Sequence, residues 1–312
     1  MKLKEWLDIW LNKYTKHTIK LRTYEKYHYI ITKHINPQLG DCDLNNLPAI
    51  TLQNFVLNKL ESGNLLTHKK LANNSVIGIM NVLKSALSLA KSFDIIDKNN
   101  ADKIKLPAPT ERPVYAFEKT EQEDLEKFCL ESKTNNHIGI VICLYTGIRL
   151  GELLALTWQD IDFSTGLISI TKTAYRAKEN GVSKIVVDQP KTKNSVRIIP
   201  LPNVLLDILK QIKQTSKSKY VLSTRKGGIV ENRSYQRTYA TILHKLNIPY
   251  KNFHALRHTF ATRAIEMGID VKTLSEIMGH KNPIITLARY THSMLSYKIE
   301  MINKMGQMLC QA

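Results

Sequence analysis

The feature of this sequence that most constrains its fold is the spacing of its apolar residues, which changes along the chain from the period of a helix to the alternation of a strand. Two stretches before residue 106 place apolar residues at the spacing of one helix face, which predicts amphipathic helices. These stripes are Leu3, Trp6, Leu7, Trp10 and Leu11, and then Val76, Met80, Leu83, Leu87 and Ala90. Residues 18–34 and 51–61 are also predicted as helices, with turn residues between them. We therefore expect residues 1–106 to form a small four-helix domain.

Residues 107–119 interrupt the helical spacing. They contain Pro107, Pro109 and Pro113, and prolines remove backbone donors and favour extended chain. We interpret this segment as a linker between two domains. Thr120 and Glu123 then have the spacing of a capping box, which predicts that a new helix begins there. Further helices are predicted over residues 141–145 and 150–158.

Alternation replaces helical spacing between residues 167 and 200. Residues 167–173, 184–188 and 196–199 are rich in β-branched side chains and are separated by turn sequences. They are predicted to form one three-stranded antiparallel sheet. The expected fold class is mainly α with a small antiparallel β-sheet, divided into a helical N-terminal domain and an α+β C-terminal domain.

The net charge indicates a polyanionic partner. The chain carries 45 Lys and Arg against 27 Asp and Glu, a formal charge of +18. Residues 1–106 hold 16 basic and 9 acidic residues, and the remainder holds 29 and 18, so both parts are basic. Such a chain is typical of nucleic-acid binding, because each neutralised phosphate releases condensed counterions. The alternative is a basic surface with no nucleic-acid role.

Several functional classes are disfavoured by the sequence. The four cysteines are far apart and form no Cys-x-x-Cys pair, which argues against a disulfide framework or a zinc cluster and for a reducing cytoplasm. No secretory leader pattern follows Met1. The most apolar stretch, residues 138–148, is too short to span a bilayer. We expect no zinc cluster and no membrane association.

Arg149 and Glu152 form the first segment with potential phosphate chemistry. Gly147 suits a left-handed helix end, so Arg149 is expected at a turn that opens the next helix. A guanidinium there can bind two phosphate oxygens as a planar fork. Glu152, one turn on, can orient it. Taken alone, an ordinary surface arginine in a helix-surface pair explains these residues as well.

His254 and Arg257 form a second segment. They are three residues apart on a predicted helix and so share one face, which suits an anion site. His258 follows, but Ala255 stands where a metalloprotease would have glutamate, so we reject a zinc-protease interpretation. A core histidine beside a surface arginine remains the simpler explanation for this segment in isolation.

Three further segments each place one candidate group. Lys191 and Lys193 lie in a predicted turn between strands, where a cation could reach a DNA groove or simply be solvated. His280 follows Gly279 at a predicted helix end. Tyr290 lies ten residues later, and it is one of 13 tyrosines, so only its neighbours in the set make it a candidate nucleophile.

In order and spacing, this set resembles the tyrosine recombinase family of phage-type integrases, which includes lambda integrase, Cre and the Xer recombinases. The resemblance implies that residues 1–106 form a core-binding, SAM-like domain and residues 107–119 an interdomain linker. It implies a catalytic domain over residues 120–293. Residues 294–312 would form an amphipathic helix that contacts another subunit.

The resemblance also implies a role for each candidate. Tyr290 would attack a backbone phosphate and form a 3′-phosphotyrosyl link, and Glu152 would support the site. Other members of the set would bind the non-bridging oxygens or transfer protons. These are Arg149, Arg257 and His280 on the oxygens, Lys191 as general acid with Lys193 as the alternative, and His254 in proton transfer at the tyrosine. Neither a metal nor ATP nor a nucleotide cofactor is implied.

The implied partners are double-stranded DNA recombination sites and three further copies of the chain, as a homo-tetramer on DNA. Accessory DNA-bending and directionality proteins are possible additions. Beyond Tyr290, an apolar stripe would dock on a neighbouring subunit or pack on its own domain. Its members are Leu295, Ile299, Ile302, Met305 and Leu309. The expected location is the bacterial cytoplasm, associated with the nucleoid. The chain begins directly with the core-binding pattern, so either its element has no arm-type sites or an arm-binding domain has been removed, and Met1 slightly favours the first alternative.

Three other functions stay open on the sequence. A type IB topoisomerase-like enzyme uses the same chemistry, although the small helical domain and the Gly279-His280 motif favour a recombinase. A catalytically inactive DNA-binding regulator would retain only binding. A basic RNA-binding protein is less favoured, because the chain has no aromatic-rich RNA-recognition motif.

Overall fold

A computed structural model describes residues 1–110, 115–132, 134–179, 182–189 and 196–279, together with residues 299, 302, 303 and 306. The chain divides into two compact units. The first comprises Met1–Arg112 with Ala177–Lys184, and the second comprises Pro113–Arg176 with Ile185–Ala312. Within the described residues, no helix combines the length and the apolar character needed to cross a bilayer.

The first unit is helical. Two of its helices continue into wider π-helical turns, over Trp10–Thr15 and Ile31–Ile35, and a short 3-10 turn covers Asn100–Lys103. Its helices are α1 (Leu3–Ile9), α2 (Leu21–Ile30), α3 (Asn36–Leu39), α4 (Ala49–Ser62) and α5 (Asn73–Ser92). The four helices predicted from periodicity are present, with α3 as a short addition.

Both predicted apolar stripes of the first unit are buried, and they form its core. On α5 the stripe faces inward over about four helical turns, because residues three and four apart lie on one side of a helix. Trp6 joins α1 to this core, and its indole Nε1 donates to the Ala86 carbonyl oxygen at 2.9 Å. That bond satisfies the one polar group of a side chain that is otherwise apolar.

The second unit is built around an almost wholly apolar helix. Residues of α7 are buried nearly all round the helix, and α7 packs against α6 and α11, which is the position that such a sequence requires. The helices of this unit are α6 (Lys119–Leu130), α7 (Ile138–Thr146), α8 (Leu150–Ala155), α9 (Asn203–Thr215), α10 (Asn232–Lys245), α11 (His254–Glu266) and α12 (Val271–Met278).

The prediction of one three-stranded sheet is wrong about which strands form it. The strands are β1 (Ile161–Asp162), β2 (Leu167–Ile170), β3 (Thr173–Glu179), β4 (Val182–Asp188) and β5 (Arg197–Pro200). One antiparallel sheet has the order β1-β2-β5, with Ile168 opposite Ile199, and β3 pairs with β4 separately. Residues 184–188 therefore belong to a two-stranded hairpin and not to the sheet. The fold class, mainly helical with a small antiparallel sheet, is confirmed.

The predicted capping box at Thr120 is also misplaced. The helix begins two residues earlier, where Glu118 is the N-cap and its backbone N–H donates to Glu121 Oε2 at 2.8 Å. Thr120 and Glu123 have the right spacing, but an equivalent pair lies just before them in the sequence. The predicted helix over residues 150–158 ends at Ala155, and a 3-10 turn follows over Trp158–Asp160.

Candidate active site

The turn between α7 and α8 presents the first candidate arginine. Gly147 ends α7 with φ of 62°, in the left-handed region that a residue without Cβ adopts at little cost. Arg149 then becomes the N-cap of α8, and its backbone N–H donates to Glu152 Oε2 at 2.9 Å. The predicted position of Arg149, at a turn opening a helix, is therefore the position observed.

Glu152 lies between two arginines. Arg149 Nη1 donates to Oε1 at 3.0 Å, and Arg197 donates from Nη1 to Oε1 at 3.2 Å and from Nη2 to Oε2 at 2.8 Å. The Glu152 and Arg197 side chains are 4% and 6% exposed, whereas Arg149 is 38% exposed. A bidentate, buried pair thus supports an arginine whose side chain is still partly exposed to solvent.

The charge of Glu152 is held by these contacts. Burial by itself would raise the pKa of this carboxyl, since it removes water from the charged form. Hydrogen bonds and the charge of Arg197, with a smaller effect of Arg149, outweigh burial and place the pKa below its ordinary value. Glu152 is therefore a carboxylate at neutral pH, and Arg149 keeps an anionic partner.

Arg257, on α11, is almost completely buried, with 2% of the residue exposed. Its Nη1 donates to the Gly147 carbonyl oxygen and its Nη2 to the Met278 carbonyl oxygen, both at 2.6 Å. The guanidinium thus ties the α7–α8 turn, two residues before Arg149, to the end of α12. The arginine of the predicted anion site is therefore buried, and it is not the surface arginine of the simpler explanation.

Three arginines converge on the last carbonyls of α12. Arg197 Nε donates to the Ile277 oxygen at 2.6 Å, Arg257 binds the Met278 oxygen, and Arg149 Nη2 donates to the Gly279 oxygen at 3.2 Å. The final carbonyls of a helix lack intrahelical donors and carry the negative end of its dipole. Cationic donors therefore suit this helix end.

His254 begins α11 and is exposed, in contrast to the core histidine that its position on a helix also allowed. Together with Arg257 it lines a pocket of about 250 Å³, whose other polar side chains are Asn232, Gln236 and Asn252. Its ring meets that of His258 edge-on, with centroids 4.6 Å apart. The pocket therefore combines an exposed imidazole with amide groups beside a buried guanidinium.

Four candidates lie outside the described residues. These are Lys191, Lys193, His280 and Tyr290. The described chain reaches Gly279, which has φ of 62° and ends α12. Among the described candidates, Arg149, Glu152 and Arg257 are brought together, and His254 shares a pocket with Arg257.

Arg197 belongs to this cluster and was not among the residues selected from the sequence. It lies on β5, where Arg197 and Ile199 are buried and Ile198 is exposed. The signal available was a lone arginine on an alternating strand whose other residues are apolar. That pattern normally indicates an arginine on the solvent face, with Ile198 in the core.

Among the residues that the structure describes, no three histidine, cysteine, aspartate or glutamate side chains are grouped so that they could hold a metal ion. His254 and His258 are close, but the charged side chain that lines the pocket with His254 is the Arg257 guanidinium, not a carboxylate. The described site is thus rich in hydrogen-bond donors and suits an anion.

Comparison with known proteins places the chain in a family. The sequence matches the phage integrase family over residues 116–296, more than half of the chain. Residues 2–60 match the N-terminal SAM-like domain of phage integrases. The two matches cover the C-terminal and N-terminal parts of the chain respectively.

Curated relatives carry names of the same kind. The tyrosine recombinase XerC-like protein of Caldanaerobacter subterraneus is 28% identical, and the alignment covers 98% of this chain and 83% of the relative. The transposase of transposon Tn916 from Enterococcus faecalis is 29% identical over 68% of this chain and 56% of its own length.

Solved structures share the fold. The Tn1549 transposon integrase, in complex with a circular intermediate DNA, superposes with a TM-score of 0.81 at 22% identity, covering 98% of this chain and 99% of the other. A lambda integrase tetramer bound to a Holliday junction gives a TM-score of 0.68 at 18% identity, covering 91% and 78%.

The chain therefore belongs to the phage integrase family. It is a tyrosine recombinase, an enzyme of site-specific DNA recombination, as the resemblance of its motifs predicted.

Proposed function

We propose that this enzyme cleaves and rejoins DNA through a covalent 3′-phosphotyrosyl intermediate and thereby integrates or excises a mobile element. The Tyr290 oxygen forms a bond to phosphorus, and the bond from phosphorus to the 5′-oxygen of the next nucleotide breaks. The tyrosine loses its proton, and the 5′-oxygen gains one and leaves as a hydroxyl. Attack by another 5′-hydroxyl reverses the step. The covalent link conserves the phosphodiester bond energy, so rejoining requires no ATP.

The convergence of Arg149 and Arg257 on adjacent backbone carbonyls carries this proposal. Their Nη2 atoms bind the Gly279 and Met278 oxygens at 3.2 and 2.6 Å. Two guanidiniums anchored this closely can bind the two non-bridging oxygens of one phosphate. Together with Arg197 and Glu152, they make a cluster of three positive charges and one negative charge. Such preorganised positive charge stabilises a pentavalent transition state, in which negative charge accumulates.

Proton transfer is assigned to the remaining candidates. Lys191, or Lys193 in its place, protonates the leaving 5′-oxygen as general acid. His254 assists proton transfer at the tyrosine, and its exposed position at the start of α11 supports a role at a surface that receives DNA. His280 donates a further hydrogen bond to the phosphate.

The substrate is double-stranded DNA carrying recombination sites, bound by a homo-tetramer. Both sequence segments are basic, which supports contacts to the duplex from each. We assign residues 1–106 to core-site binding, 107–119 to a linker, 120–293 to catalysis and 294–312 to subunit contact. DNA-bending and directionality proteins act as accessory partners, and the enzyme works on the bacterial nucleoid.

Covalent trapping tests the proposal. The substrate is a nicked duplex carrying the junction sequence of the element, in which cleavage beside the nick releases a short fragment and prevents rejoining. Wild type should form a slowly migrating protein–DNA adduct in EDTA and without ATP. Tyr290→Phe should form none while binding the site nearly as tightly. Tyr250→Phe is the matched control, because Tyr250 is an exposed tyrosine of the same unit, and it should form the adduct normally.

Two outcomes would favour the other functions. Tight, specific binding with no adduct from wild type would indicate an inactive DNA-binding regulator. Relaxation of any supercoiled plasmid, without a specific site, would indicate a topoisomerase-like enzyme. An adduct that survives in Tyr290→Phe would show that another residue is the nucleophile.

A further inference from the structure

Arg197 makes more contacts with the candidate phosphate site than a structural ion pair requires. Its guanidinium forms a two-point contact with Glu152 through Nη1 and Nη2, at 3.2 and 2.8 Å. Its remaining nitrogen, Nε, donates to the Ile277 carbonyl oxygen at 2.6 Å. One buried side chain therefore connects the start of α8 with the end of α12.

We propose that Arg197 is a positioning residue for DNA cleavage, which sets the orientation of the Arg149 guanidinium through Glu152 and fixes the end of α12 beside it. The inference rests on the proposed role of Arg149 at the phosphate. Arg197 is 6% exposed, so its side chain is buried. It acts on the reaction through Arg149 and not on the DNA.

Glu152 transmits the effect of Arg197 to Arg149. Its Oε1 accepts from the Arg149 and Arg197 guanidiniums, and its Oε2 accepts from Arg197 and from the Arg149 backbone N–H. A carboxylate bound on both oxygens by a fixed fork has little freedom to rotate. Because the same carboxylate binds both the backbone and the guanidinium of Arg149, its orientation fixes the base and the tip of that side chain.

The second connection runs through α12. Arg197 binds the Ile277 oxygen, and Arg149 binds the Gly279 oxygen two residues on. Gly279 directly precedes the candidate His280 in the chain. Without the bond from Arg197, the last turn of α12 would lose one of the three cationic donors on its carbonyls. Arg149 would then lose a fixed acceptor as well as a fixed carboxylate.

The substitution Arg197→Lys tests whether Arg197 positions Arg149 or only balances the charge of Glu152. Lysine keeps a cation beside Glu152, so no buried carboxylate is left unpaired, but a single ammonium cannot bind both Glu152 oxygens and Ile277 together. We expect a melting temperature and site affinity close to those of wild type. The single-turnover rate of adduct formation should fall by about 100-fold, as expected when catalytic groups are misplaced by about 1 Å.

A second substrate tests whether the loss acts through the phosphate-binding arginine. In a methylphosphonate, methyl replaces one non-bridging oxygen, so the transition state carries one negative charge fewer and depends less on arginine. If Arg197 positions Arg149, the loss in Arg197→Lys should shrink to less than about 10-fold on this substrate, because less charge needs stabilising. Arg149→Lys should show the same change between substrates.

Arg263→Lys is the matched control. Arg263 is also largely buried and binds a carboxylate and a backbone carbonyl, those of Glu266 and Phe117. Its hydrogen bonds among the described residues go to Gln122, Glu266 and Phe117, and none of them reaches Glu152 or the described end of α12. We expect its cleavage rate to stay within about threefold of wild type on both substrates, since its partners lie outside the proposed phosphate site.

Two results would overturn the inference. Cleavage by Arg197→Lys within threefold of wild type would show that charge balance alone matters. Equal losses on the phosphate and the methylphosphonate would show that Arg197 does not act through Arg149.

Hydrogen exchange gives a readout that needs no catalysis. If wild type forms no adduct, the proposed function fails, and exchange of the Arg149 amide then decides the positioning role. That amide donates to Glu152 Oε2, so Arg197→Lys should accelerate its exchange while the amides of α7 stay protected. Unchanged exchange at Arg149 would overturn the inference even if wild type cleaves DNA.

Discussion

Glu152 is the residue on which the other groups of the described site depend. It is a carboxylate with 4% of its side chain exposed, in contact with two arginines. Taking such a charge out of water is costly, and its neighbours must offset that cost with hydrogen bonds. The buried charge of Glu152 is therefore tolerated only while cationic groups remain beside it.

Glu152→Gln should be strongly destabilising. The amide leaves Arg197 buried without its anionic partner, and breaking a buried pair from one side costs about 3–5 kcal/mol. Urea denaturation at pH 7 measures the change in the free energy of unfolding. Glu266→Gln is the control, because Glu266 pairs with Arg263 but is 32% exposed, and a more exposed pair contributes about 1 kcal/mol or less. Equal losses in the two variants would contradict the account.

The lowered pKa of Glu152 predicts how stability responds to acid. A carboxyl whose pKa is lower in the folded state stabilises the fold above its ordinary pKa, which is 4.5. That stabilisation is lost as the pH falls below this value and through the lower native pKa. Between pH 5 and pH 3, wild type should therefore lose more unfolding free energy than Glu152→Gln. Parallel pH profiles for the two proteins would contradict the assignment.

At the scale of elements, the turn between α7 and α8 determines where Arg149 points. Gly147 has a positive φ, and a Cβ built on it would lie 2.5 Å from Cδ1 of Phe260. Its carbonyl also accepts from Arg257. The turn is thus restricted by backbone conformation, by packing and by a bond to a proposed catalytic group.

Gly147→Ala should lower both stability and cleavage. The left-handed conformation alone costs about 1–2 kcal/mol for a residue with Cβ, and the contact with Phe260 adds to this. Gly78→Ala is the control, since Gly78 lies within α5 and a Cβ there meets nothing within 4 Å. That change should be neutral or stabilise by up to about 1 kcal/mol. Thermal unfolding and adduct yield measure the two effects, and a Gly147→Ala protein as stable as wild type would contradict the account.

The positions and buried faces of the helices were easier to predict from this sequence than the pairing of the strands. The stripe from Val76 to Ala90 faces inward as expected, because helical periodicity encodes both the element and its buried face. Alternation encodes the two faces of a strand but not its partner. Residues 184–188 could join either β2 or a nearby strand by pattern alone. In the structure these residues belong to β4, which pairs with β3, the strand that directly precedes it in the chain.

Residues of the candidate site that belong to a short sequence motif could be selected from the sequence. Contacts that depend on residues distant in the chain could not. Short motifs selected Arg149 and Arg257, which bind neighbouring carbonyls at the end of α12. The burial of Arg257 could not be read from its motif, because its partners are carbonyls from residues 147 and 278. Arg197 was missed for a related reason. A shift by one residue along a strand exchanges its faces, and apolar Ile198 and Ile199 lie on opposite faces, so alternation alone does not show which face carries Arg197 into the core.

At the scale of the whole molecule, the C-terminal tail is the candidate contact between subunits. Ile299 and Ile302, two of the tail residues that the structure describes, are 56% and 64% exposed. Both belong to the apolar stripe predicted from the sequence. Exposed apolar side chains at helical spacing suit the groove of a partner, and we propose a second copy of this chain as that partner.

Deleting residues 294–312 should leave binding of one protein to a half-site intact while abolishing cooperative assembly on a full site. Gel-shift titrations on half and full sites measure both. Ile299→Asp should weaken assembly in the same way, whereas Val204→Asp should not, although Val204, on α9 of the second unit, is 73% exposed. Undiminished cooperativity after the deletion would show that the tail packs on its own subunit.

The central claim is that one tyrosine of the 13 in this chain becomes linked to DNA. The most direct measurement is mass spectrometry of the protein–DNA adduct, trapped in EDTA, after digestion with nuclease and protease. The account predicts a nucleotide remnant joined through its 3′-phosphate to the peptide that contains Tyr290. A remnant on any other residue, or one joined through a 5′-phosphate, would contradict it.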